Sequence, residues 1–119
     1  IYTRWSKDPM YWNDNFWKMF HCFAAAYSNE YYTDFKTFID VLTVIIPDSR
    51  FRTTFKNIIE RFDFNNYADN NHNVFFWSYL VHDNFNILYS GKNGGLLPYD
   101  NFKAVYFRAL SDDCAECRL

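Results

Sequence analysis

Two short stretches of this chain carry side chains able to do chemistry together. Trp17 and His21 are four residues apart, and so are His82 and Asn86. On helices, each pair points one way from its own axis. An aromatic ring, two imidazoles and an amide facing inward from two helices make a costly core unless something polar satisfies them. A planar polar heterocycle is one such occupant, stacking on tryptophan and histidine while side-chain N–H groups bind its edges. The plainer alternative is a pair of structural or solvated histidines. A third cluster, Cys114-Ala115-Glu116-Cys117, lies near the end of the chain. It reads as a redox pair, as half of a four-ligand metal site whose second half is missing, or as incidental thiols in a polar tail. No complete metal-ligand set is visible. Cys22, beside His21, has no nearby partner in sequence and reads as a small buried apolar residue. Three cysteines are too few for a disulfide framework and do not fix a compartment.

The elements that must hold these groups are helical. Phe16, Trp17, Phe20, Phe23, Ala24 and Tyr27 form a helical stripe, which predicts a first helix over 13–27. A second is expected over 33–46, with Phe35, Phe38, Ile39, Leu42 and Ile45 on one face and Pro47 as its stop. Asp48 suits an N-cap, opening a third helix that runs to about 62 with Phe51, Phe55, Ile58, Ile59 and Phe62 inward. Residues 63–73 are rich in Asn and Asp and read as a loop. A fourth helix over 74–88 carries Phe76, Trp77, Leu80, Val81, Phe85 and Leu88. After a glycine-rich turn, a fifth starts near Tyr99 or Asp100, with Phe102, Val105, Tyr106 and Leu110 inward. The expectation is therefore all-α: a four-helix bundle with a short fifth helix across one end. Trp5, Tyr11 and Trp12 make the N-terminal stretch too aromatic for a free tail. Residues 111–119 form a polar, cysteine-containing tail.

The bulk composition agrees with one such domain over residues 1–119. Half of the residues are apolar, 24% are aromatic, and glycine and proline are scarce. A chain of this size buries roughly two-thirds of its unfolded surface, enough for a core. The net charge of −2 gives no electrostatic argument for nucleic acid. No apolar run is long enough to span a bilayer. The start at Ile1 rather than Met suits a fragment or a processed product.

In order and spacing, these residues resemble the FAD-dependent sulfhydryl oxidases of the ALR/Erv family. That family's first helix carries Trp-x-x-x-His, matched by Trp17 and His21. An aromatic and often a proline follow, matched by Tyr27 and replaced by Ser28. Its third helix opens with Pro-Cys-x-x-Cys. Only Pro47 matches, and Asp48 and Phe51 occupy the cysteine positions. Its fourth helix carries Trp and then His-Asn-x-Val-Asn, where this chain has Trp77 and then His82-Asp83-Asn84-Phe85-Asn86. A Leu and a Lys follow, matched by Leu88 and Lys92. The resemblance spans about residues 12–110.

That resemblance implies an FAD cofactor contacted by Trp17, His21, His82, Asn86 and Lys92, with Tyr27 and Trp77 as further contacts. Trp77 either packs on the adenine or fills the bundle. It also implies dimers through the first two helices, with a second copy or a related subunit, where Tyr31 and Tyr32 are surplus aromatics. The departures imply loss of function. Thiol oxidation needs thiolate attack and a mixed disulfide, and Asp48 and Phe51 supply neither. The leading expectation is a degenerate sulfhydryl-oxidase-like domain that binds FAD, lacks thiol oxidase activity and acts through protein binding or dimerisation. Two alternatives stand beside it: a flavoprotein thiol oxidase using Cys114 and Cys117, and a flavin-free helical interaction module. Abundant Asn, Tyr, Phe and Ile suit an AT-rich genome, such as that of a large DNA virus or a protist.

Overall fold

A computed structural model of the chain describes residues 7–91 and 95–111, with the side chains of 109–111 excepted. Trp5, Lys92, Cys114, Cys117 and the Leu110 side chain lie outside the described residues. Five α-helices account for most of the rest: α1 Asn13–Ala25, α2 Tyr32–Ile45, α3 Ser49–Arg61, α4 Asn71–Ser90 and α5 Tyr99–Ser111. Single 3-10 turns lie at Pro9–Tyr11, Asn29–Tyr31 and Phe64–Asn66. No strand occurs among the described residues, so the chain is an all-helical bundle.

Local chemistry explains the boundaries. Asp48 is the N-cap of α3, its Oδ2 accepting from the Phe51 backbone N–H at 2.8 Å. α2 stops before Pro47, where Ile46 turns extended at φ −55° and ψ 124°. The stretch expected as loop up to residue 73 is shorter than that. Asn70 caps α4 by accepting from Asn73 N–H at 3.0 Å, which starts the helix three residues early. α4 then runs past residue 88 to Ser90 and closes on Gly91, left-handed at φ 72°, where glycine carries no steric cost. Conversely, α1 ends at Ala25 rather than at 27. The fifth helix is as long as α1 and α3, 13 residues each, rather than short.

α4 is the hub. Its closest packing is against α1 and then α3, while α2 leans on α3 and α5 on α1. Its buried residues are Val74, Phe75, Trp77, Ser78, Val81 and Phe85. The core around them is a mesh of rings. Phe51 lies 4.4 Å from Phe85 and 4.9 Å from Trp12, and Phe20 lies 5.5 Å from Trp77. Trp12 docks as expected, partly buried against Phe16 and Phe51, while Tyr11 is half exposed.

Several residues expected inward face out. Phe23 on α1, Ile45 on α2, Phe76 and Leu88 on α4 and Val105 on α5 are all exposed. Cys22, expected to be buried, is exposed as well. The stripe of α1 is narrower than its apolar content. Trp17, Phe20, His21 and Ala24 fill the contact with α4, and Cys22 and Phe23 lie round the helix from that contact. In α2 the buried place near the end goes to Ile46, the residue that turns extended.

Two substitutions separate core from cap. Phe55→Ala, at a site with no exposure, should cost about 3–5 kcal/mol. Asp48→Ala should cost about 1 kcal/mol and Asp48→Asn almost nothing, since asparagine caps as well. Urea midpoints measure both. A cost at Asp48→Asn equal to that at Asp48→Ala would show that the carboxylate does more than cap.

Candidate functional site

The two motif pairs meet where α1 crosses α4. His21 on α1 is 1% exposed, and its Nε2 lies 2.8 Å from His82 Nδ1 on α4. Its other nitrogen, Nδ1, lies 2.9 Å from Ser78 Oγ. Ser78 in turn donates its hydroxyl proton to the Phe75 carbonyl at 2.6 Å. A hydroxyl has one proton, so Ser78 can only accept from His21. His21 therefore carries its proton on Nδ1 and offers a lone pair at Nε2. His82 must then carry its proton on Nδ1 to complete the bond. No hydrogen bond recorded among the described residues reaches His82 Nε2. Because no buried side-chain nitrogen or oxygen lacks a partner among them, that atom reaches solvent.

Aromatic rings enclose this relay. The Trp17 indole lies flat on His82, with centroids 3.9 Å apart and planes 3° from parallel. Its Nε1 donates to Asn13 Oδ1 at 3.0 Å. From α5, Phe102 and Tyr106 pack on His21 at 4.7 and 5.4 Å. Burial, with His82 second, pushes the His21 imidazole down to about 2, and burial alone pushes His82 down to about 3. Burial, with Cys22 second, lifts the Tyr106 phenol to about 12. All three are neutral groups near neutrality, as burial dictates.

The other expected contacts lie elsewhere. Asn86, one turn beyond His82, lines an open groove of about 510 Å3 together with Asp8, Asn13, Asp14, Phe85 and Tyr89. Trp77 has no exposure, donates to the Phe62 carbonyl at 2.7 Å and packs on Phe20 and Phe64. It fills the bundle. Tyr27 donates its hydroxyl to the Ala68 carbonyl at 2.8 Å and packs on Phe35 and Phe64. Burial, followed by the neighbouring Tyr32 and Asp69, raises its phenol. Ser78 was missed in the sequence. Its place one turn before His82 on the same face was the available signal.

A flavin held between α1 and α4 as the resemblance implies is a poor match for this arrangement. Trp17 and His82 are in van der Waals contact and leave no slot for a ring between them. The imidazole nitrogens that would bind its edges are spent on each other and on Ser78, apart from His82 Nε2. At the family's cysteine positions, Phe51 is fully buried and Asp48 is engaged as a cap. No group of three or more metal-ligating side chains occurs among the described residues. None of their helices is long and apolar enough to cross a membrane. No protein-family model matches the chain, and no curated protein or solved structure matches it significantly.

The relay makes Ser78 a measurable member of the site. Ser78→Ala leaves a buried imidazole N–H without its acceptor, which should cost about 1–3 kcal/mol. Thermal or urea unfolding checks this. A variant as stable as the parent would mean that His21 does not depend on the hydroxyl.

Proposed function

We propose that this chain is an ALR/Erv-like helical domain without thiol oxidase activity, which acts by binding a protein partner through the outer face of its first two helices. The observation that carries the reading is that face. Phe23, Tyr31, Val41, Val44 and Ile45 are all exposed on α1, the turn after it and α2, with Val44 at 71%. Phe23, Tyr27, Tyr31, Asp34 and Phe38 also line an apolar groove of about 280 Å3 between the two helices. An amphipathic helix keeps one apolar stripe, whereas α2 is apolar on both sides, as a helix covered twice would be. Aromatic residues are enriched at interface cores. A second copy or a related subunit is the partner that the resemblance favours.

The positions of the family's cysteine pair support the lack of oxidase chemistry. Sulfhydryl oxidation passes through thiolate attack and a mixed disulfide. Asp48 offers a carboxylate occupied by a backbone N–H, and Phe51 a ring sealed between Trp12 and Phe85.

FAD binding is the second reading, favoured by one observation: Trp17, His21 and His82, three of the residues that carry the resemblance, are in mutual contact. To bind there, FAD would have to part the Trp17–His82 stack or enter along the groove beside Asn86. A visible absorption spectrum of the purified protein decides this. A flavin band, lost in His82→Ala, would establish the cofactor, and its absence would leave the flavin-free module.

Two outcomes test the leading proposal. Oxygen consumption with dithiothreitol should match free FAD, and turnover that disappears on Cys114→Ser or Cys117→Ser would replace this reading with a tail-driven oxidase. In sedimentation, the protein should run as a dimer, and Phe23→Glu with Val44→Asp should make it a monomer. A dimer untouched by that pair of changes would place the interface elsewhere.

A further inference from the structure

The His21–His82 bond joins α1 to α4 at the centre of the bundle, and α5 is seated on it through Phe102 and Tyr106. Its two rings do not respond to acid in the same way. A proton added at His82 Nε2 enters at the one free lone pair and leaves every hydrogen bond of the relay intact. The resulting cation lies on the face of Trp17, which favours it. A proton added at His21 Nε2 puts two N–H groups against each other across 2.8 Å. It removes the acceptor and breaks the link. Ser78 blocks escape by ring exchange, because its hydroxyl is already given to the Phe75 carbonyl.

We propose that the His21–Ser78–His82 relay is an acid-sensitive clasp that locks the first helix to the fourth and is opened by its second proton. This inference is independent of any flavin and of the partner face on α1 and α2.

The surroundings leave the clasp uncompensated. From α5 the titratable group against it is the Tyr106 phenol, which stays neutral. From α3, Phe51 and Phe55 approach through Trp17. On α1, Lys18 acts on Cys22, and on α4, Asp83 acts on the Tyr79 phenol. The influences on His21 are burial and then His82, and on His82 burial alone. No carboxylate among the described residues therefore rescues a charged pair.

The sign of the effect follows. The folded rings sit at about 2 and 3, below the 6.5 of a free histidine. The unfolded chain takes up protons first, so the stabilisation is complete above 6.5 and is lost progressively as pH falls toward the folded values.

The test needs no ligand. In long-range 1H–15N spectra of the unaltered protein near neutrality, both His21 and His82 should be protonated on Nδ1. Between about pH 6 and pH 5 both folded rings stay neutral while two free histidines take up protons, which lowers the folding equilibrium constant roughly sixtyfold. In a His21→Leu/His82→Phe chain that loss should fall to a few-fold. An Nε2–H tautomer on either ring, or a slope unchanged by the double substitution, would overturn the clasp. If the double variant does not fold, the NMR titration of the unaltered protein decides, and a folded-state His21 ring that takes up its proton near 6.5 overturns it.

Discussion

The bundle depends on how it satisfies two inward imidazoles, His21 buried and His82 half-buried. Each would carry the penalty of an unpaired polar group if it stood alone in a core of phenylalanine and tryptophan. Pairing them removes most of that cost, and Ser78 removes the remainder by taking the one N–H left over. The polar relay crosses between α1 and α4, so the cost of misplacing either helix is high. Apolar contacts tolerate small slips, whereas a hydrogen bond near 2.8 Å does not. The relay thus sets the register of the helices, and the surrounding rings provide most of the stabilisation.

The aromatic content follows from the same geometry. Helices of 13 to 20 residues with few glycines leave broad gaps between axes, and rings fill such volume with little loss of side-chain entropy. Phe16, Trp17, Phe20, Phe51, Phe55 and Phe85 interlock largely edge to face. Phe16 and Phe20 lie nearly parallel at 6.1 Å, and the Trp17–His82 stack is parallel and closer, at 3.9 Å. A neutral imidazole lacks the face-to-face repulsion of two electron-rich rings, so it can lie flat on the indole. This packing takes up the space in which a planar ligand between α1 and α4 would otherwise stack. Phe51 contributes, because its ring closes the same layer from the α3 side.

The outer surface obeys a different constraint. Phe23 on α1 and Val44 and Ile45 on α2 are exposed. Nothing in the packing of the bundle requires them to be apolar. That surplus is the observation behind the proposed binding role, while the relay inside the bundle bears on stability and its proposed dependence on acid.

The helical class, the breaks at Pro47 and Gly91, the cap at Asp48 and the pairing of Trp17 with His21 on one face of α1 are determined by residue type and spacing alone. These are local properties: ring constraint, a short carboxylate, a missing Cβ and the 3.6-residue period. The sequence also poses the problem of inward polar groups without its answer. A histidine on α1 and a histidine and a serine on one face of α4 admit either an external ligand or one another. Only the crossing of α1 over α4, with nitrogen meeting nitrogen at 2.8 Å, decides for mutual bonding. The same holds for Cys22, Phe23, Ile45 and Val105, whose periodicity is compatible with a core that is not wide enough to bury them. How much of an apolar stripe is covered depends on the neighbours a helix acquires, and those are set by tertiary packing.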